Sequence, residues 1–170
     1  MKKYELTDET VRVGSRTLYR VRALCDIPGW GVKAGDLGGF VESERNLSQD
    51  GAAWVSGNAR VSGNTQVSGD AWVSGDARVS GAARVSGDEI LHVTGLPSGV
   101  VTMFPTTDGW TLTIGCWSGT VDELETMIQG DDWPKSRGEE QTLRRPGLEA
   151  LVALCRAHIG LIEARKEQEK

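Results

Sequence analysis

A chain of 170 residues with a net charge of -5 has room for one domain or two small ones, and its charge balance excludes a general affinity for nucleic acid. Three scattered cysteines (Cys25, Cys116 and Cys155) without a CxxC spacing exclude a disulfide framework and a zinc site, and read as reduced thiols. The start, MKKYELTDET, has no apolar signal-peptide core, and no apolar run approaches the roughly 20 residues that span a bilayer. The expectation is a soluble, cytoplasmic protein.

In chain order, YELTDETVRVGSRTLYRVRALCDI alternates around Gly14-Ser15 and predicts a two-stranded hairpin whose outer edge carries Arg12, Arg16, Arg20 and Arg22. In VKAGDLGGFVESERNLSQDGAAW, Val41 and Leu47 fall in a six-residue register with Ala53, so an irregular first turn of a coil is expected to begin near Val32. The hairpin would then cap the open top of that coil.

Val-Ser-Gly then returns every six residues, at Val55, Val61, Val67, Val73, Val79 and Val85. A short fixed period marks a solenoid, and a period of six marks a β-helix. Each x-Val-Ser reads as a short strand with its valine inward, and the Gly-Asn/Asp after it as a sharp corner. Small residues two positions before each valine (Ala53, Ala59, Thr65, Ala71, Ala77, Ala83) suit the space beneath a corner. A flexible Gly/Ser linker would have no reason to keep valine in register six times.

Three such hexads make a triangular turn of 18 residues, which fixes the outward columns: Trp54 over Trp72, Arg60 over Arg78, and Gln66 over Arg84. Two tryptophans on adjacent outward rungs make an apolar strip expected to touch the C-terminal segment, another copy or a ligand. Trp54 and Trp72 with Arg60, Arg78 and Arg84 are therefore the candidate ligand- or partner-binding residues, as a clamp of rings and guanidinium groups for an anion.

Tyr4-x-Leu6, Val32-Lys33-Ala34-Gly35-Asp36-Leu37-Gly38-Gly39-Phe40-Val41 and Leu47-Ser48-Gln49, followed by hexads, resemble the YdcK-like β-helix proteins of bacteria and their phages. The resemblance covers residues 4 to 88. It implies a left-handed parallel β-helix of the hexapeptide-repeat type, of phage or prophage origin. It also implies a homo-oligomer, with a trimer the first expectation because related coils commonly trimerise.

Past Asp88-Glu89, ILHVTGL, GVVTMFP, TTDGW and TLTIGCW read as strands with a turn at Asp108-Gly109. Thr120-Val-Asp-Glu123 is a capping box opening a helix over DELETMIQ. GDDWPKSRGEEQ reads as a polar loop, and a last helix is expected from Pro146, with Leu148, Leu151, Val152, Cys155, Ile159 and Ile162 on one face. Leu154 and Leu161 widen that stripe beyond what one small sheet covers, and are the candidate oligomer contacts. The sequence thus divides into a capping hairpin (1–30), a mainly β, about three-turn coil (31–88) and an α+β unit (89–170) closing the lower end.

Hexapeptide β-helices that catalyse acyl transfer or hold zinc need histidine. Here His92 sits in an apolar strand and His158 on the last helix, and the repeat serines have no base beside them, so no catalytic residue, metal site or cofactor is expected. The reading is a non-enzymatic phage accessory protein that binds a host effector or a small anionic or nucleotide signal. Alternatives are a polymer-forming, bactofilin-like scaffold and a degenerate acyltransferase.

Overall fold

The computed structural model describes residues 2–87, 89–115, 117–130 and 139–168. Asp88, Cys116, Trp133 and most of the predicted polar loop lie outside the described residues.

Each hexad of the repeat forms a two-residue strand: β4 (Trp54–Val55), β5 (Arg60–Val61), β6 (Gln66–Val67), β7 (Trp72–Val73), β8 (Arg78–Val79) and β9 (Arg84–Val85). Strands 18 residues apart pair in parallel, Val55 with Val73, Val61 with Val79 and Val67 with Val85. All six valines are at most 1% exposed, and the alanines beneath the corners are buried with them. Upper N–H groups donate downward, as from Trp54 to Ala71 O (2.9 Å) and from Ser68 to Val85 O (2.9 Å). At the Gly69 corner a side chain would collide: Gly69 has φ +59°, and a Cβ there would lie 2.4 Å from Ser86 O.

Above the coil, β1 (Tyr4–Val13) and β2 (Arg16–Ala23) form the expected hairpin, Val13 opposite Arg16. Strand β3 (Leu37–Val41) pairs antiparallel with β2 and parallel with β5, so hairpin and coil share one sheet of order β1-β2-β3-β5-β8. The Gly38-Gly39 pair lets β3 lie directly on the coil. A Cβ on Gly38 would be 2.4 Å from Val55 O, and one on Gly39 would be 2.6 Å from Ala59 O. The register corrects one expectation. Val41 pairs with Val61 and Leu47 with Val67, 20 residues on, so the first turn is two residues longer than the rest. The two extra residues lie between Leu47 and Val55, while the step from Val41 to Leu47 matches that from Val61 to Val67 and holds a 3-10 turn at Glu44–Asn46, where buried Asn46 donates Nδ2 to Gly63 O (3.0 Å) and Thr65 O (2.9 Å).

The first and last turns leave backbone groups without a further rung, and a charged side chain meets some of them at each end. Lys3 Nζ, on a 6%-exposed residue, donates to the carbonyls of Ala53 (2.9 Å), Gly51 (3.3 Å) and Asp50 (3.4 Å). Burial lowers its pKa against the opposing pull of Asp50. The buried Tyr4 hydroxyl donates to Leu47 O (2.6 Å) and Glu44 O (2.9 Å), and burial raises its pKa. At the other end, the Glu89 carboxylate accepts from the N–H groups of Ser86 (2.7 Å) and Gly87 (3.2 Å). Buried Phe104 joins the coil's core, and Thr106 bridges Ala83.

Thr65 is the one non-alanine beneath a corner, and its buried Oγ1 has no hydrogen-bond partner. Thr65→Val keeps the shape and removes a stranded hydroxyl. It should stabilise the protein by about 1 kcal/mol. Thermal unfolding should show a rise of roughly 2–4 °C, and a lower melting temperature would mean that the hydroxyl has a partner.

The chain divides into two units, Met1–Ile90 with Phe104–Gly109, and Leu91–Met103 with Trp110–Lys170. The predicted hairpin turn at Asp108-Gly109 thus belongs with the coil. In the second half of the chain, β10 (Leu91–Val93), β11 (Val101–Thr106), β12 (Gly109–Ile114) and β13 (Trp117–Gly119) form a sheet in that order. Helix α1 (Val121–Gln129) has the predicted capping box: Glu123 N–H donates to Thr120 Oγ1 (3.1 Å) and Thr120 N–H to Glu123 Oε2 (2.8 Å). Helix α2 (Glu139–Gln168) starts before Pro146, which lies inside it, so Pro146 is not the helix start. The interior proline costs the helix the bond that Thr142 O would accept. Leu148, Leu151, Val152, Cys155 and Ile162 of α2 are buried, and burial pushes the Cys155 thiol up to about 11. Arg156 ties α2 to Asp122 (3.0 Å) and Glu125 (2.6 Å) of α1.

Candidate functional site

The tryptophan column forms in register, Trp54 opposite Trp72, but it is not an open strip. Trp54 is 1% exposed, with its ring against Gly38. Trp72 is half-buried beneath Trp30, their ring centroids 5.0 Å apart at 31°. The Ile27–Val32 loop that carries Trp30 is closed by its own bridge, so the N-terminal cap occupies this face. The expectation of an aromatic wall for a ligand is corrected: burying this apolar area against the chain itself is the stronger use of it. Arg84 is also committed locally, donating Nη1 to Asn64 O (2.8 Å) and Ala83 O (3.1 Å), around a corner from the other arginines.

What remains is the second face, which is larger than the hexads alone predict. Arg20 pairs with Phe40, Phe40 with Arg60, and Arg60 with Arg78, one residue per rung across β2, β3, β5 and β8. Arg20 places its guanidinium carbon 4.8 Å over the Phe40 ring, which is 7% exposed. The Nε atoms of Arg20 and Arg60 are buried without a hydrogen-bond partner. Three arginines thus share a column, with Phe40 between Arg20 and Arg60, and with Arg60 and Arg78 on adjacent rungs, where like charges repel. Two described carboxylates lie beside the column. Glu9 reaches Arg20 at 3.4 Å. Glu42 is taken up by Gly63 N–H (2.6 Å) and Arg16 (2.7 Å), which, in that order, hold its carboxyl below the usual range.

Sequence reasoning found Arg60 and Arg78 but missed Arg20 and Phe40. Both were visible, Arg20 in the hairpin's basic edge and Phe40 in LGGFV. Their meeting depends on how the hairpin docks on the coil, and no periodicity carries that.

His92 Nδ1 lies 3.3 Å from Thr102 Oγ1, and His158 meets the Trp110 ring edge-on at 5.9 Å. Among the described residues, no group of three histidine, cysteine or acidic side chains is placed to hold a metal, and no helix is long and apolar enough to cross a membrane. On α2, Leu154 and Leu161 are 45% and 52% exposed.

The hexads and their parallel pairing define a β-solenoid. Residues 53–69 and 71–87 match the family model of the YdcK beta solenoid repeat, so over that segment the chain is similar to YdcK-like solenoids. No curated protein matches the chain.

Proposed function

We propose that this is a non-enzymatic binding protein whose left-handed coil is a rigid post displaying the Arg20–Phe40–Arg60–Arg78 face to an anionic partner. The observation that carries the reading is the column Arg20–Phe40–Arg60–Arg78, which sets three arginines on one face with Arg20 over the Phe40 ring, a surface of guanidinium groups for an anion. A small nucleotide signal or the acidic edge of a host effector fits such a surface. The reading extends to a phage or prophage product that blunts a host defence from the cytoplasm, acting as a homo-oligomer. A trimer is the assembly that related coils suggest.

The polymer alternative is opposed by the ends of the coil. Lys3 takes up carbonyls of the first turn and Glu89 takes up N–H groups of the last, backbone groups that stacking copies would need. The acyltransferase alternative is opposed by the settings of His92, beside Thr102, and of His158, against the Trp110 ring.

Mass spectrometry of small molecules released from protein purified at low salt tests the proposal. Wild type, His92→Ala and His158→Ala should all carry the same anionic species, and the double variant Arg60→Gln/Arg78→Gln should lose it. Retention by the double variant, or dependence on either histidine, would overturn the assignment.

A further inference from the structure

Helix α2 has a second face that its own unit does not use. Leu148, Leu151, Val152, Cys155 and Ile162 point into the core, while Leu143, Leu154 and Leu161 are 78%, 45% and 52% exposed. Residues 11 and 18 positions apart return to within about 20° of one another on a helix, so these three leucines form one line. Between them the spacing alternates 4 and 3 without a break: Leu143, Gly147, Ala150, Leu154, Ala157, Leu161 and then Ala164. Ala150, Ala157 and Ala164 are exposed as well, and so are Ala153 and Gly160 alongside. No charged residue enters this strip over about 31 Å of helix.

An alternating 4-3 spacing is the heptad seam of a helix pair, and its contents select the occupant. One column holds leucine at 154 and 161, and the other holds alanine at 150, 157 and 164. Two copies laid parallel in register would stack leucine on leucine and alanine on alanine, giving layers of unequal thickness and leaving voids. Laid antiparallel about an axis between residues 155 and 156, Leu154 and Leu161 each meet an alanine, and Leu143 falls opposite Gln168 at the end of the pair. Leu154 then faces the partner's Ala157, Leu161 faces the partner's Ala150, and Gly147 faces the partner's Ala164. Each of these layers then has one large and one small member at most, so the helices can approach to about 8 Å. The surface complements its own two-fold copy, as an isologous contact requires.

We infer that a second copy of this chain covers the strip, forming an antiparallel α2–α2 helix pair. This deepens the self-association in the proposed function and replaces its trimer with a two-fold pair at this contact. It does not depend on the arginine face. A helix pair of this length is small beside a standard interface, so association is expected in the micromolar range.

The test is sedimentation of the full chain at 1 to 100 μM (roughly the range such an interface sets), with Leu154→Glu/Leu161→Glu as the variant. Both positions are exposed, so the variant should keep the wild-type melting temperature. Wild type should dimerise, and the variant should weaken dimerisation by about a hundredfold. Orientation is read by disulfide formation in a chain whose Cys25 and Cys116 are serine. Mixed Ala150→Cys and Leu161→Cys chains should cross-link to each other, and neither should cross-link to itself. A monomer at 100 μM would overturn both the pair and self-association. A trimer indifferent to the leucine substitutions, or cross-linking of each variant to itself, would overturn the pair alone.

Discussion

Val67→Asp is expected to unfold the first unit, while Gln66→Asp, one residue away, leaves its melting temperature nearly unchanged. Val67 is 1% exposed, stacked between Leu47 above and Val85 below, with no polar group in the column to receive a carboxylate. A charge there stays unpaired in a dry core or must be protonated, and either cost exceeds about 4 kcal/mol, a large part of what holds a domain together. Gln66 points outward from the same strand and is exposed. Circular dichroism on the two variants reads the difference directly. Equal melting temperatures would mean that the inward register is wrong.

Trp54→Ala comes second in expected size, at about 3–5 kcal/mol. Trp54 is the largest fully buried side chain of the described residues, and its removal leaves a cavity under β3 that Gly38, without a side chain, cannot fill. Trp72→Ala should cost less, because Trp72 is half-buried and Trp30 can settle toward the gap. Arg78→Ala should not lower stability measurably, since its outward side chain is exposed. Denaturant titration of the three variants orders them. If Trp54→Ala is no worse than Arg78→Ala, the tryptophans are not the seat of the N-terminal cap, and they return as a candidate binding wall.

The repeat made the coil unusually legible. A valine every six residues with glycine at each corner specifies strand length, inward face and 18-residue turn together, because all three follow from one period. The Thr120–Glu123 capping box was equally direct, since a cap is a local exchange of two hydrogen bonds. What stayed hidden depends on docking. The 20-residue first turn comes from two extra residues between Leu47 and Val55, and nothing in SQDGAA announces them. Lys3 and Glu89 as end-caps required knowing which backbone groups the first and last turns leave without a rung. Trp54 looked exposed because its position is outward in the repeat. Only the passage of Gly38 over it, inside a motif noticed for its resemblance alone, shows that outward is not the same as open. Pro146 misled for a different reason: proline favours a helix start, but a 30-residue helix with a packed face tolerates the loss of one bond.

The central claim is that the guanidinium column on the second face is a binding surface. Calorimetric titration of the wild type with a cyclic dinucleotide, repeated with Arg60→Gln/Arg78→Gln and at two salt concentrations, tests it most directly. The account predicts saturable binding by the wild type that weakens as salt rises. In the double variant the same binding should fall by about thirtyfold or more, with the melting temperature unchanged. Wild type and double variant giving the same isotherm would contradict it.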